Sequence, residues 1–520
     1  MSAMALGQML IGNMLATAAE RDARREAFFC ATTGRRFTFA QTNERCNRLA
    51  NGLIGLGLRK GDCVAFLSTN RVEVVEIYFA LAKAGLVGLP LNYRLAPVEM
   101  VALMQEVDAV ALLSERKFAE IAAQVQQEMP QVRVQVEFGE GVTHATVALH
   151  AYEALLDGAS PAEPDVPLQE SDPYYFNLTS GTTGLPKCYL LTHYNAASFF
   201  SMFQALHVTR DDVVMTVFPM YGRVGFAWVA CSVMFGIRNV LTNFEPARTL
   251  ELTAGEGVTI YNLVPTMGAM LLARPELDST DLRSLRALVF AGSLLPAPIR
   301  EGVVARLCPR LYEYYGMQET STLVVSTPED RERRPHSVGQ PILFAEVRVV
   351  DADGRTMPPG ETGAIVGRSP GTITGYYKNP AKNAETFRGG WLHTGDLGSI
   401  DDEGYLFIKG RTKDVIVTGG QNVHAGEVEE AILRLPGVAD CAVIGLADPL
   451  WGECVTAVVV EAEGRTVDPS AVIDGCRTGL AGFKTPKKVV ISKEPLPRTA
   501  TGKVQKFRLV ERYDTKETTR

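Results

Sequence analysis

One short segment of the chain combines the residue types that bind phosphate groups. Residues 179–187 read Thr-Ser-Gly-Thr-Thr-Gly-Leu-Pro-Lys. Glycines let backbone N–H groups converge on an anion, the hydroxyls add donors, and the lysine adds a mobile positive charge. The flanking runs 174–178 and 188–191 both read as strands, so this is not a Walker A loop, which opens a helix. We predict a phosphate-binding loop between two strands; an ordinary polar hairpin is the alternative.

Two later segments each carry a carboxylate suited to nucleotide chemistry. Residues 315–320 end an apolar strand, where Tyr315 is suited to stack on a purine base and Glu319 to bind Mg²⁺. In residues 391–396, Asp396 follows a glycine turn and is suited to accept hydrogen bonds from ribose hydroxyls. Taken alone, a surface glutamate at a strand end and an aspartate that caps a turn explain the same residues.

Two basic segments follow toward the C-terminus. Residues 410–414 read Gly-Arg-Thr-Lys-Asp, and residues 496–503 place Lys503 on a turn of small residues. In isolation, the first is typical of a solvated charge cluster and the second of a surface lysine. Both become informative only in combination with the segments described above.

Helices and strands alternate around these segments. Thr38 and Gln41 fit a capping box before an amphipathic helix, and residues 72–84 predict another helix. Short apolar strands are predicted at 63–67, 213–218, 258–263, 287–290 and 311–315, which favours an α/β sheet wound on both faces. From residue 351 on, Gly/Asp turns separate short strands and indicate a β-rich subdomain. About a hundred residues after Arg411 suit a small separate α+β domain.

The composition narrows the class of protein. The 520 residues are 46% hydrophobic and 21% charged, with a net charge of −7, which argues against a general nucleic-acid binder. The 9 cysteines include no CxxC pair, so we expect reduced thiols in the cytoplasm. No long uninterrupted apolar run predicts an integral membrane segment, and the apolar residues 1–15 lack the pattern of an export signal.

In this order and spacing, the segments resemble the successive core motifs of the adenylate-forming superfamily, most of all its stand-alone acyl-CoA synthetases. The resemblance covers nearly the whole chain. It implies a large N-terminal domain of α/β subdomains plus a β-rich subdomain (1–410), a hinge (411–413) and a small mobile α+β C-terminal domain (414–520). It also implies an acid–thiol ligase: a fatty or aromatic acid is activated with Mg-ATP to an acyl-adenylate, pyrophosphate leaves, and coenzyme A takes the acyl group with release of AMP.

The resemblance also implies a role for individual residues. Glu319 would hold Mg²⁺, Lys503 would bridge the acid's carboxylate and the α-phosphate during adenylation, and Lys413 would be the hinge residue. The residues expected to bind ATP are Thr179, Ser180, Gly181, Thr182, Thr183, Gly184, Lys187, Gly292, Ser293, Glu313, Tyr314, Tyr315, Gly316, Gln318, Asp396 and Arg411.

Several residues depart from the pattern of the superfamily. Cys188 replaces a glycine, Gln318 a threonine and Ala425 a proline, but no charged catalytic group is lost, so we expect an active enzyme. The segment 264–270 lacks the arginine of malonate-activating relatives, which disfavours a malonyl-CoA synthetase.

The departure with most consequence lies in residues 218–226, between the expected acyl pocket and the thiol tunnel. Gly222 stands where many relatives have histidine, so the pocket or the tunnel mouth is expected to be wider. The residues expected to line the acyl pocket are Tyr221, Gly222, Arg223 and Phe226. Arg223 either meets a second carboxylate on the substrate or forms a structural ion pair, and the structural role is favoured.

Three functional hypotheses follow. The leading one is an acyl-CoA synthetase, whose partners are a small carboxylic acid and coenzyme A. The alternatives are a ligase that loads a carrier protein and, from another class, a non-catalytic nucleotide-binding protein of the same fold. The joint presence of Lys503, Glu319, Asp396 and Arg411 argues against the last. The sequence leaves the oligomeric state open, a homodimer included.

Overall fold

The computed structural model describes residues 8–140, 149–179, 187–293, 295–419, 421–498 and 502–514, and of residues 126, 149, 413 and 422 the backbone alone. The first part of the chain forms α1 (Ile11–Arg21), β1 (Glu26–Cys30), β2 (Arg35–Thr38), α2 (Phe39–Gly55), β3 (Cys63–Leu67), α3 (Val72–Ala84), β4 (Val87–Pro90), α4 (Pro97–Glu106), β5 (Ala111–Glu115), α5 (Ala119–Glu128), β6 (Val134–Phe138), β7 (Leu149–Ala151), α6 (Tyr152–Asp157), β8 (Pro173–Thr179) and β9 (Lys187–Thr192).

The middle of the chain repeats the alternation. It forms α7 (His193–Ala197), α8 (Phe200–Ala205), β10 (Val213–Thr216), α9 (Arg223–Phe235), β11 (Arg238–Leu241), α10 (Pro246–Gly255), β12 (Ile260–Leu263), α11 (Pro265–Leu272), β13 (Ala287–Phe290), α12 (Ala297–Arg306), β14 (Leu311–Met317), β15 (Ser321–Ser326), α13 (Pro328–Arg333) and β16 (Gln340–Pro341).

The last part of the chain is richer in strands. It forms β17 (Glu346–Val350), β18 (Gly363–Arg368), α14 (Pro380–Thr386), β19 (Phe387–Arg388), β20 (Trp391–Ile400), β21 (Leu406–Arg411), β22 (Val415–Thr418), β23 (Gln421–His424), α15 (Ala425–Leu433), β24 (Val438–Asp448), β25 (Gly452–Glu461), α16 (Pro469–Gly479), β26 (Lys488–Ser492) and α17 (Lys506–Tyr513).

Within the described residues these strands form four sheets. The first sheet has the order β7-β6-β5-β3-β4-β8-β9, and the large sheet has the order β16-β15-β14-β13-β12-β10-β11-β1-β2. The third sheet has the order β17-β18-β20-β19 with β21 on β20, and the C-terminal sheet has the order β23-β22-β25-β24 with β26 on β25. In the large sheet, β10, β12, β13 and β14 run parallel, so their carboxyl ends share one edge.

A central helical layer joins the first sheet to the large sheet. α3 has every side chain buried, and α9 is buried over most of its length, because both lack the polar face of a surface helix. They contribute to one core with residues from both sheets, while α4 and α5 cover the outer face of the first sheet and α10 to α12 that of the large sheet. The charge of Glu76 within α3 is met by Arg45 at 2.6 Å and by the hydroxyl of Tyr152 at 2.7 Å.

The C-terminal part of the chain has cores of its own. Residues from β22 to α17 supply them, and no buried residue of the other sheets belongs to these clusters within the described ranges. A single 3-10 turn, Thr412–Asp414, connects β21 of the third sheet to β22. The predicted hinge residue, Lys413, lies in this turn.

The α/β fold class predicted from the sequence is confirmed, with its β-rich part after residue 345 and its α+β C-terminal part. The capping box on Thr38 and Gln41 is present, and α3 spans the predicted residues. All nine cysteines are free thiols, eight of them buried. Among the described helices, none is long and apolar enough to cross a membrane.

Candidate active site

The carboxyl ends of the parallel strands of the large sheet share one edge, and this edge, the candidate cleft, is where α/β sheets commonly bind ligands. The chain is accessible there after each of several strands: Phe218 beyond β10, Thr266 beyond β12, and Gly292 and Ser293 directly after β13. Gly292 has a φ of +91°, a left-handed conformation that glycine adopts without steric cost. Residues 314–318 at the end of β14 are half-buried in the same region.

The strand β14 presents its predicted nucleotide residues on two faces. Tyr315 packs with the third sheet, whereas Tyr314 points to the layer of α9, where its hydroxyl accepts a hydrogen bond from Asn262 Nδ2 at 2.9 Å. Glu313 lies 3.3 Å from Arg300 and 3.6 Å from Arg331, and burial raises the pKa of its carboxyl. The alternation of a strand therefore separates Tyr314 from Glu313 and Tyr315, which the sequence had grouped together.

Asp396 is the centre of a small polar cluster. Its Oδ2 accepts a hydrogen bond from the Tyr315 hydroxyl at 2.7 Å, and its Oδ1 lies 3.0 Å from Arg411 Nε. The predicted glycine turn before it proves to be a bulge inside β20: Gly395 has a φ of +76°, and the pairing with β18 shifts register at this point. The bulge turns the carboxylate toward β14.

Glu319 lies in the turn between β14 and β15, with a side chain that is 6% exposed. Its Oε1 accepts a hydrogen bond from the Tyr376 hydroxyl at 2.6 Å, and burial raises the pKa of that tyrosine. Among the described residues, no basic side chain forms an ion pair with Glu319. A buried carboxylate without a cationic partner fits a bound Mg²⁺, which in nucleotide enzymes takes one or two carboxylates and completes its shell with phosphates and water.

The ends of the predicted phosphate loop stand close to this glutamate. Thr179 and Lys187 are paired across β8 and β9, and the Lys187 Nζ lies 5.6 Å from the centroid of the Tyr376 ring. The hydroxyl of Tyr189, two residues further on, donates to Gln318 Oε1 at 3.1 Å. The predicted loop residues between these ends (Ser180, Gly181, Thr182, Thr183 and Gly184) lie outside the described residues.

The turn that carries Lys503 lies against the cleft. A Cβ placed on Gly502 would be 3.2 Å from Thr266 Oγ1 and 3.8 Å from a methyl group of Val264. The carbonyl of Gly502 accepts a hydrogen bond from Arg498 Nη1 at 2.5 Å, and Arg498 is held by Asp440 at 2.7 Å. The C-terminal part of the chain thus brings Lys503 to the edge of the large sheet that also bears Tyr315 and Glu319.

The segment expected to line the acyl pocket divides into accessible and buried residues. Tyr221 is half-buried, with its ring edge-on to Tyr93 at 5.3 Å, and Gly222 precedes the first residue of α9. Phe226 has no exposed surface; its ring stacks on Tyr78 at 3.9 Å in the central layer. The structure thus assigns Phe226 to the core, because the helical turn after Gly222 directs it inward.

Arg223 also differs from expectation. It is buried and donates hydrogen bonds to the backbone carbonyls of Gln318 and Gly371, and within the described residues it forms no ion pair. Neither of the two roles weighed from the sequence, a substrate carboxylate or a structural carboxylate partner, matches these contacts.

The sequence reasoning missed the tyrosines that complete the site. Tyr376 contacts Glu319, Tyr189 contacts Gln318, and Tyr93 packs against Tyr221. Tyr376 had a signal in the sequence, because it closes a Gly/Thr-rich stretch, 371–375, of the kind that approaches a ligand closely. The other two carry no local signal, since Tyr189 on β9 and Tyr93 in the segment between β4 and α4 meet their partners only through contacts between parts of the chain that are distant in sequence.

Comparisons with known proteins match both the large part and the C-terminal part of the chain to known families. The family models of the AMP-binding enzyme and of the AMP-binding enzyme C-terminal domain match residues 15–377 and 427–503. The chain is 34% identical over 485 residues to the feruloyl-CoA synthase of an Amycolatopsis species, covering 92% of this chain and 94% of that protein.

Two further similarities extend over nearly the full length. The chain is 33% identical over 508 residues to the long-chain-fatty-acid–CoA ligase FadD13 of Mycobacterium tuberculosis, covering 97% of this chain and 98% of that protein. Among solved structures, the anthranilate CoA ligase AuaEII in complex with anthranoyl-AMP aligns with a TM-score of 0.89 at 27% identity, covering 98% of this chain and 99% of that one.

Proposed function

Because this chain belongs to the AMP-binding enzyme family and is similar to a feruloyl-CoA synthase and a fatty-acid–CoA ligase, we propose that it activates a carboxylic acid with Mg-ATP and passes the acyl group to coenzyme A. The observation that carries the proposal is the meeting, at one strand edge, of the Tyr315–Asp396 pair, the turn of Lys503 and the buried Glu319, which has no cationic partner among the described residues. A buried carboxylate without a cation is costly in a protein that does not bind one.

The nucleotide would bind along the ends of β13 and β14. Asp396 is fixed by Tyr315 and Arg411 and keeps further lone pairs for the ribose hydroxyls. Gly292 and Ser293 offer an accessible, side-chain-poor wall for the base. The phosphates would extend toward Lys187 and the loop before it.

Glu319 would hold the metal ion. When bound, Mg²⁺ neutralises phosphate charge and draws electron density from the phosphorus that is attacked. Tyr376 donates to one oxygen of Glu319 and so orients the carboxylate. Because Gln318 and Glu319 are adjacent, their hydrogen bonds to Tyr189 and Tyr376 place four polar side chains side by side.

Lys503 would counter the repulsion between the acid and the triphosphate. In adenylation a carboxylate oxygen attacks the α-phosphorus and pyrophosphate leaves; in the second step the CoA sulfur attacks the acyl carbon and AMP leaves. The attacking carboxylate is already ionised at neutral pH, so no general base is required. An ammonium group aimed at the reacting oxygens stabilises the charge that gathers on them.

For the acid, we propose a compact aromatic or short aliphatic compound. Trp228 is fully buried in α9, and Tyr314 faces the same layer; burial raises the pKa of Tyr314 to about 12, an increase that the nearby Trp228 and Asn262 oppose. Since α9 begins directly after Gly222, we expect these large rings to limit the depth that a long acyl chain could reach.

One experiment tests the function and its alternatives. A panel of aromatic and aliphatic acids is assayed for acid-dependent exchange of pyrophosphate into ATP, and for AMP release with CoA or with a holo carrier protein as acceptor. We expect exchange with compact acids and AMP release with CoA. Pyrophosphate exchange followed by acyl transfer to the carrier protein but not to CoA would identify a carrier-loading ligase. Nucleotide binding without pyrophosphate exchange for every acid of the panel would identify a non-catalytic binder.

A further inference from the structure

Arg223 is a buried charge that has no counter-charge within the described part of the chain. Its side chain is 3% exposed, and its guanidinium lies 5.4 Å from the ring of Phe199. One Nη donates to the carbonyl of Gln318 and the other to the carbonyl of Gly371 at 2.5 Å, whereas Nε has no hydrogen-bond partner among the described atoms. Burial of a guanidinium costs free energy, and two neutral carbonyls compensate it only in part. A nonpolar side chain would be the simpler choice if packing were the only purpose.

The carbonyl that Arg223 binds belongs to the turn of Glu319, and the other carbonyls of that turn are also held. The backbone N–H of Ile373 donates to the carbonyl of Glu319 at 2.8 Å, and the Ser369 hydroxyl donates to that of Thr320 at 2.7 Å. Ser321 has a φ of +62°, which is uncommon for a residue other than glycine. The turn is therefore kept in one specific conformation by contacts from outside it.

Arg223 connects the two segments that make these contacts. One of its nitrogens reaches the turn, and the other reaches Gly371, inside the segment 369–373 that supplies the bonds from Ser369 and Ile373. Arg223 is also the first residue of α9, directly after Gly222. The side chain of Arg223 thus connects the start of α9, which follows the expected acyl-pocket residue Gly222, to the turn of Glu319 and to the segment 369–373.

We infer that Arg223 is a positioning residue that fixes the carboxylate of Glu319 for the metal–triphosphate complex. This inference rests on the proposed function and adds a residue and a connection to it. Glu319 binds the metal well only if its carboxylate keeps one direction, because Mg²⁺ accepts little deviation from octahedral geometry. Without the hydrogen bond from Arg223, the backbone of Gln318, directly before Glu319, would be held less firmly. Substrate recognition through Arg223 does not fit, since both Nη groups are already bound to carbonyls and the side chain is enclosed.

The test measures binding of ATP rather than turnover. Calorimetric titration gives the dissociation constant of ATP once in the presence of Mg²⁺ and once in the presence of EDTA. The ratio of the two constants is the metal-dependent gain in ATP affinity. The wild-type protein is compared with Arg223→Met, Arg223→Lys, Glu319→Gln and Ser369→Ala. Val233→Ala, a buried substitution in the same helix but far from the turn, is the control for general loosening of α9.

We expect Arg223→Met to reduce the metal-dependent gain by about tenfold, the effect of one charge-assisted hydrogen bond, while ATP binding in EDTA stays unchanged. Glu319→Gln should reduce the gain further in the same direction, Arg223→Lys should fall between wild type and Met, and Val233→Ala should leave the gain intact. If Arg223→Met does not fold, Ser369→Ala provides the same test, because it removes another bond to the turn without uncovering a buried charge.

Other outcomes would overturn the inference. An unchanged gain in both Arg223→Met and Ser369→Ala, or an equal loss with and without metal, would show that the turn does not depend on these bonds. If wild-type protein itself shows no metal-dependent binding of ATP, the proposed function fails as well, and that result is recognised before any variant is compared.

Discussion

The carboxylates of the cleft differ in how far the protein itself satisfies them. Asp396 has an arginine and a tyrosine hydroxyl as partners, whereas the side chain of the similarly buried Glu319 has a single tyrosine hydroxyl among the residues that the structure describes. Glu319 is thus the residue whose charge most needs an external cation. Lys503 would supply a positive charge from the C-terminal part of the chain, next to Gly502, which lies beside Thr266.

The first prediction at the residue scale concerns Lys503. Lys503→Ala should slow adenylation by about a hundredfold or more, because the ammonium that offsets charge at the α-phosphate is lost. Pyrophosphate exchange measures this step. Thioester formation from a synthetic acyl-adenylate should remain comparatively intact in the same protein. Equal loss in both steps would contradict the assignment of Lys503 to the first one.

The second concerns Gly222. A Cβ at this position would meet only the carbonyl oxygen of Pro219, at an ordinary 3.4 Å, so Gly222→His should fold. The imidazole would fill part of the acyl path. The ratio of kcat/KM for small acids to that for large acids should therefore rise by about tenfold across a panel.

Two further variants give this prediction its controls. Gly222→Ala adds little volume and should keep the wild-type profile. Gly225→Ala should instead destabilise the fold, because its Cβ would lie 2.4 Å from the same carbonyl oxygen. If a folded Gly222→His protein accepted the same acids as the wild type, this segment would not line the acyl path.

At the scale of the element, the start of α7 contains a histidine that the proposed mechanism does not use. His193 is fully buried, stacks on Tyr174 at 5.0 Å, and accepts a hydrogen bond from the backbone N–H of Ile11 at its Nδ1. Burial lowers the pKa of His193 to about 4, with Lys60 adding to the decrease and Asp172 opposing it. Protonation would also place a positive charge at a helix N-terminus, which is unfavourable.

The third prediction follows from that pKa. The folded protein binds the His193 proton less readily than the unfolded chain does. The free energy of unfolding should therefore keep its full His193 contribution above about pH 6.5 and lose it as the pH falls toward 4. The change should be about 3 kcal/mol, measured by urea unfolding at a series of pH values. His193→Gln should flatten this part of the profile, and His336→Gln, at an exposed position, should not. Parallel profiles for wild type and His193→Gln would contradict the prediction.

Local patterns predicted the elements better than the contacts between them. The helix α3 and the capping box of α2 follow from spacing and cap residues, and the strands on either side of residues 180–186 follow from short apolar runs. The site was predicted through motifs whose residues are adjacent in sequence. The bulge at Gly395, the inward direction of Phe226 and the carbonyl contacts of Arg223 depend on partners far away in the chain, so no local pattern could show them.

At the scale of the whole molecule, the fourth prediction concerns the turn Thr412–Asp414 that precedes the C-terminal sheet. Lys413→Pro should slow the second half-reaction by about tenfold and affect adenylation much less, because proline fixes a backbone dihedral that a domain rotation has to change. Single-turnover measurements of the two steps separate them. Lys413→Ala keeps the backbone free and should behave like wild type; unchanged thioester formation in Lys413→Pro would place the hinge elsewhere.

The distribution of cores has a consequence for the response of the protein to heat. The first and large sheets share the central helical layer, and residues of β15 pack with those of the third sheet, so these parts can lose their packing only together. The C-terminal cores draw on their own residues and bury less surface, as small domains do. Differential scanning calorimetry should therefore resolve two transitions, the C-terminal part melting first, and the two should move together once ATP and Mg²⁺ bind across the interface. The chain at Gly502, which lies beside Thr266, would then act as a thermal link between two otherwise independent cooperative units.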